Sequence, residues 1–102
     1  MADYRFRVSD AFAVPLRGWI LRLKLLEGDF EPRMLARGTS FLLVDLDGQE
    51  RETKVLGLPA TAGRQTKDRV QQSREFDILI PAEDATRDGS EVTLGWEVRP
   101  QG

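Results

Sequence analysis

The stretch Tyr4-Arg5-Phe6-Arg7-Val8-Ser9-Asp10-Ala11-Phe12-Ala13-Val14 decides the fold. Its even positions carry Tyr4, Phe6, Val8, Phe12 and Val14, with Asp10 the interruption, and Arg5, Arg7 and Ser9 stand between them. Successive side chains of a strand point to opposite faces, so this alternation reads as a half-buried β-strand. Pro15 stops it, and Arg17-Gly18 turns the chain.

The same period recurs downstream. Trp19, Leu21, Leu23 and Leu25 alternate with Arg22 and Lys24 as far as Glu27-Gly28-Asp29. Leucine also suits a helix, but the short length, the bounding glycines and the alternating charges favour a strand. Asp29 to Gly38 is irregular, and Pro32 cannot donate to a ladder there. Phe41 to Leu46 is apolar on both faces. Asp47-Gly48 signals a tight hairpin turn, with Arg51 to Leu58 as the returning arm. Phe76, Ile78 and Ile80 form the next strand, ended by Pro81, and Ala82 to Ser90 is a turn region carrying Asp88-Gly89. The clearest alternation comes last. Val92, Leu94, Trp96 and Val98 face one way, and Glu91, Thr93, Glu97 and Arg99 the other, up to Pro100.

Six short strands predict an all-β domain, a barrel or a sandwich. A closed, antiparallel-rich, six-stranded barrel is the preferred form, because closure removes exposed sheet edges. Residues 59–74 form a long polar connector whose one apolar residue beyond its first few is Val70; a short helix over Thr66 to Gln72 would have little apolar face. A chain of 102 residues fits one domain, residues 1–102.

Composition closes off much chemistry. Without cysteine there is no disulfide framework, thiol nucleophile or thiolate metal site. Without histidine the usual general base near neutral pH and the commonest zinc ligand are missing. The net charge of -2 does not suit a surface that grips nucleic acid all round, though it leaves room for a local basic patch. Met1-Ala2-Asp3-Tyr4-Arg5 opens without an apolar run, and the longest such runs are far short of a membrane span, so the expected location is the cytoplasm.

Six motifs in order resemble the second domain of the translational GTPases, the β-barrel of elongation factor Tu and its relatives. Phe6-Arg7-Val8-Ser9-Asp10-Ala11-Phe12 is similar to that family's opening strand, and Arg17-Gly18 to its Arg-Gly turn. Gly28 stands ten residues after Gly18, the family's spacing to its next turn. Thr53-Lys54-Val55-Leu56-Gly57-Leu58 resembles the central strand, and Phe76-Asp77-Ile78-Leu79-Ile80 the strand after the long loop. Arg87-Asp88-Gly89-Ser90-Glu91-Val92 resembles the entry to the closing strand. There are departures: Arg22-Leu23 replaces a small Thr-Gly pair, and the segment from Gly28 to Gly38 is longer than the family's link. The GTPase domain is missing, and Ala62-Gly63-Arg64-Gln65-Thr66-Lys67 is not a phosphate-binding loop, so GTP binding is not expected. The resemblance implies a closed barrel that contacts RNA or docks on a neighbouring domain.

No catalytic residues, cofactor or metal are expected. Ser9, Ser40, Ser73 and Ser90 lack a histidine base. Asp45-x-Asp47-Gly48 has its glycine too early for a calcium loop. The acidic groups Glu27, Asp29, Glu31 and Glu83, Asp84 read as solvated turns. Trp19 and Trp96 fit core packing better than base stacking. The leading expectation is a non-enzymatic module that contacts a protein or RNA partner, with protein ahead because of the acidic pI. It would make contact through the Pro59 to Arg74 loop and the Arg17 turn, with Arg17, Arg22, Arg64, Lys67, Arg69 and Arg74 as contact residues. The alternatives are a small-molecule or enzymatic barrel with Asp10 at its mouth, and a structural subunit that offers a strand edge.

Overall fold

The computed structural model describes residues 4–60 and 63–101. It contains β1 (Tyr4–Val14), β2 (Gly18–Gly28), β3 (Ser40–Val44), β4 (Glu50–Lys54), α1 (Lys67–Ser73), β5 (Glu75–Ile80), α2 (Ala82–Ala85) and β6 (Glu97–Pro100). Short 3₁₀ turns occupy Pro32–Leu35 and Arg87–Gly89. All six strands join one antiparallel sheet in the order β4-β3-β6-β1-β2-β5.

The sheet is not closed, which corrects the expected barrel. Its two ends meet at one isolated bridge, Gly57 with Leu79. There Leu56 N–H donates to the Leu79 carbonyl at 2.8 Å, and Leu79 N–H to the Gly57 carbonyl at 2.9 Å. A ladder needs donors at every second residue, and Pro59, two residues beyond Gly57, has none to offer.

β1 and β2 begin and end where the alternation and the flanking turns place them. Their register does not follow one phase throughout. Val8 pairs with Leu23 and Asp10 with Arg22, so Ser9 is an extra residue. This bulge reverses which side chains face inward. Tyr4, Phe6 and Val8 are buried as expected, whereas Phe12 is 43% exposed and Ala11 packs against the core instead.

The last strand also needs correction. β6 begins only at Glu97. Gly95 turns the chain just before it with φ of +94°, a backbone open chiefly to glycine, and Leu94 is exposed. Val92, Trp96 and Val98 are buried, but Val92 reaches the core by donating its N–H to the Ala85 carbonyl at 2.8 Å.

The core lies inside the curl of the sheet. Its aromatic centre sets Phe30 against Phe6, Phe76 and Tyr4, with ring centroids 4.8, 4.9 and 5.4 Å apart. Phe30 and Leu35 come from the irregular stretch after β2, Val70 from α1 and Ala85 from α2. Trp96 is a core residue with the Arg51 guanidinium 4.8 Å from its ring centroid, and Trp19 is partly buried against the core.

Candidate functional site

The six cationic residues expected to form one contact face are spread along the length of β2. Arg17 sits in the β1–β2 turn, one residue before Gly18, which abuts the end of β5 at Ile80. Arg74 lies at the other end, where its carbonyl accepts the Leu25 N–H at 2.7 Å. Gly18 and Leu25 are seven residues apart along an extended strand, roughly 23 Å.

Residues 65–73 of the connector explain this separation, because they run along the outer edge of β5. All six residues of β5 lie opposite β2, and Glu75, Asp77 and Leu79 turn their amides to the outer edge. The Ser73 hydroxyl accepts the Glu75 N–H at 3.1 Å. The Gln65 side chain accepts the Asp77 N–H at 2.6 Å and donates to the Asp77 carbonyl at 2.9 Å, imitating the missing strand. The Gly57 bridge takes care of Leu79. An open edge is thereby converted into a satisfied one. Helix α1 is held by buried Val70, by the Thr66 hydroxyl accepting the Arg69 N–H, and by Arg74 in the left-handed conformation at its end.

Arg22 and Arg69 do meet. With Gln65, Val70, Ser73, Glu75 and Asp77 they line a small cleft of about 170 Å³. Arg22 makes two hydrogen bonds of 3.2 Å to the Asp77 carboxylate, and these bonds and that charge raise the pKa of its guanidinium. Lys67 lies 3.5 Å from Glu31, which also pairs with Arg33 at 2.8 Å. Arg33, and then Lys67, hold the Glu31 carboxyl below its usual range. Arg69 donates to the Arg64 carbonyl at 3.0 Å. Acidic groups are thus interleaved with the cations of this face, so it offers no uniform track for a phosphate backbone.

Asp10, the residue of the alternative reading, is exposed at the bulge, where its carboxylate accepts the neighbouring Ala11 N–H at 3.0 Å. The Asp45 carboxylate accepts the N–H groups of Asp47 and Gln49 at 2.9 Å each, which makes the Asp45–Gly48 segment a hairpin turn. No group of three potential metal-ligating side chains gathers among the described residues, and no helix there is long and apolar enough to cross a membrane.

The feature that sequence reasoning missed is Leu16, at the tip beside Arg17. Leu16 is fully exposed (107%) and holds φ of +65°. Pro15 is exposed beside it and Val14 and Trp19 are half-buried, with Leu56 nearby against Gly18. Val14, Pro15, Leu16, Arg17 and Trp19 line one shallow hollow with Ala82. The available signal was an apolar residue inside a turn, Pro15-Leu16-Arg17-Gly18. The chain matches no family model, no curated protein and no solved structure.

Proposed function

We propose that this chain is a non-enzymatic binding module that docks a protein partner through the tip of the β1–β2 hairpin. One observation carries the reading: Leu16 is wholly exposed in a left-handed backbone. A bulky residue there costs on the order of 1–3 kcal/mol in backbone strain, and its apolar surface gains nothing from the fold. Both costs make sense if a partner covers the leucine. The neighbours fit such a role, because apolar and aromatic surface beside an arginine is the make-up of a contact centre between proteins. Arg17 belongs to the tip, whereas Arg22, Arg64, Lys67, Arg69 and Arg74 lie along β2 and the β5 cover. The resemblance of six motifs to the second domain of translational GTPases is part of this reading, which makes the chain a relative with an open sheet.

The test compares proteins that co-purify with the wild type and with Leu16→Gly. Glycine relieves the positive φ, so the variant keeps or gains thermal stability while losing its partner. A partner set unchanged by both Leu16→Gly and Arg17→Glu refutes the placement. Filter binding to ribosomal RNA across salt concentrations addresses the RNA reading. A steep loss of affinity with salt would move the partner class to RNA.

A further inference from the structure

Three strand edges of the open sheet are treated differently. The β5 edge is satisfied residue by residue, as described above. The β4 edge is rich in charge, with Glu50, Arg51, Glu52 and Lys54, and Arg87 reaches the Glu52 carbonyl at 3.5 Å. Charged side chains deter pairing on such an edge. The third edge is the distal half of β1, Ser9 to Val14.

That edge exists because the last strand is interrupted. β6 pairs with β1 only at Phe6 and Arg7. The contact ends at Val8, which donates to the Trp96 carbonyl at 2.7 Å and accepts the Gly95 N–H at 3.0 Å. A continuous strand from Val92 to Val98 would have continued past Val8 and covered Asp10 to Phe12. The turn at Gly95 carries the chain away instead. Val8 faces β6, and the extra residue in the bulge reverses the phase, so Ala11 and Ala13 turn their backbone groups to the uncovered side. The Ala11 N–H is taken by the Asp10 carboxylate. Among the described residues no hydrogen bond reaches the Ala11 carbonyl or either group of Ala13 from that side.

We infer that a second copy of this chain pairs antiparallel along Ser9–Val14, with Phe12 opposite Phe12 of that copy. The edge is self-complementary in this register. Ala11 faces Ala13 of the other copy, and the two residues exchange N–H and C=O bonds in both halves, roughly four hydrogen bonds in all. Alanine at both positions leaves the backbones free to approach. Phe12, 43% exposed in the single chain, gains an aromatic cross-strand partner. The charges also select the antiparallel arrangement. In the Phe12-to-Phe12 register Asp10 lies opposite Val14 of the other copy, so no like charges meet within the edge. A parallel pairing would set Asp10 beside Asp10. On pairing, Asp10 releases the Ala11 N–H to the new ladder. The two surfaces share Val14 but are tested apart, since Leu16→Gly removes the tip contact and leaves the β1 edge whole.

Sedimentation velocity from low micromolar to millimolar concentration tests it, with two variants. Ala13→Pro deletes the outward N–H and none of the bonds between β1 and β2, at an edge position where proline is accepted. Phe12→Lys places like charges opposite each other on a solvent-exposed site. The wild type is expected to dimerise with concentration. Each variant should weaken the dimer, Ala13→Pro by about thirty-fold for two lost hydrogen bonds per dimer. Circular dichroism of the Phe12→Lys monomer should match the wild type. A wild type that stays monomeric at millimolar concentration overturns the inference, and so does a dimer that Phe12→Lys leaves undiminished.

Discussion

Replacing Gly18 by alanine probes the joint between the β1–β2 hairpin and β5. Gly18 opens β2 with φ of +133°, and a Cβ built there stands 2.3 Å from the Ile80 carbonyl oxygen and 3.3 Å from its carbon. The obstacle is backbone, so no side chain can swing aside. The oxygen would have to retreat by about 1 Å, which pulls at the end of the β2–β5 ladder where Trp19 pairs with Ile80. Backbone strain at a positive φ contributes about 1–3 kcal/mol and forced overpacking a further 1–3 kcal/mol. Their sum, near 4 kcal/mol, corresponds to a fall in Tm of roughly 15–30 °C in a domain of this size. Gly48→Ala is the control: its φ is +84°, but nothing lies within 4 Å of the added carbon. It should cost only about 1 kcal/mol, or roughly 4–8 °C. Thermal unfolding followed by far-ultraviolet circular dichroism and by tryptophan fluorescence measures both, with Trp19 next to the substitution as a local reporter. Equal losses in the two variants would refute the claim that Gly18 exists to let the Ile80 carbonyl approach.

Two other predictions concern the core and the edge. Burial pushes the Tyr4 hydroxyl up from 10.0 to about 12, so the fold favours the neutral phenol. A raised value means that this contribution is complete below pH 10 and is lost as pH climbs through 12, at most about 3 kcal/mol in all. Tyr4 is the sole tyrosine, so tyrosinate absorbance reads it directly. A midpoint near 10 in the folded protein contradicts the burial argument, and Tyr4→Phe should flatten the alkaline loss of stability in urea unfolding. Gln65→Ala strips the cover from Asp77, which is 7% exposed, and leaves an N–H and a C=O without partners. The expected cost is about 1–3 kcal/mol, with faster amide exchange at Asp77; unchanged exchange there would show that Gln65 does not seal the edge.

Much of the fold was legible along the chain. The ends of β1 and β2 coincide with Pro15, Arg17-Gly18 and Gly28, since proline and glycine act on the backbone locally. The same holds for the Asp47-Gly48 hairpin and for the halt of β5 before Pro81. The candidate site was much less so. Arg17 lies on the proposed surface, but Leu16 beside it carried no periodic signal, and Gln65 looked like any polar residue of a connector. Phe30 and Leu35 complete the core from a stretch without alternation, because their burial depends on which strands they happen to cross.

By itself, the order of side chains determined that this protein is built of antiparallel strands with one apolar face, because side-chain alternation and turn chemistry act over a few neighbouring residues. Only the tertiary structure decided that the sheet stays open, that β5 is sealed by an amide side chain and that half of β1 is left bare. Those outcomes hang on one bulge at Ser9, one turn at Gly95 and one missing donor at Pro59, each of which matters only through the strand that it does or does not meet.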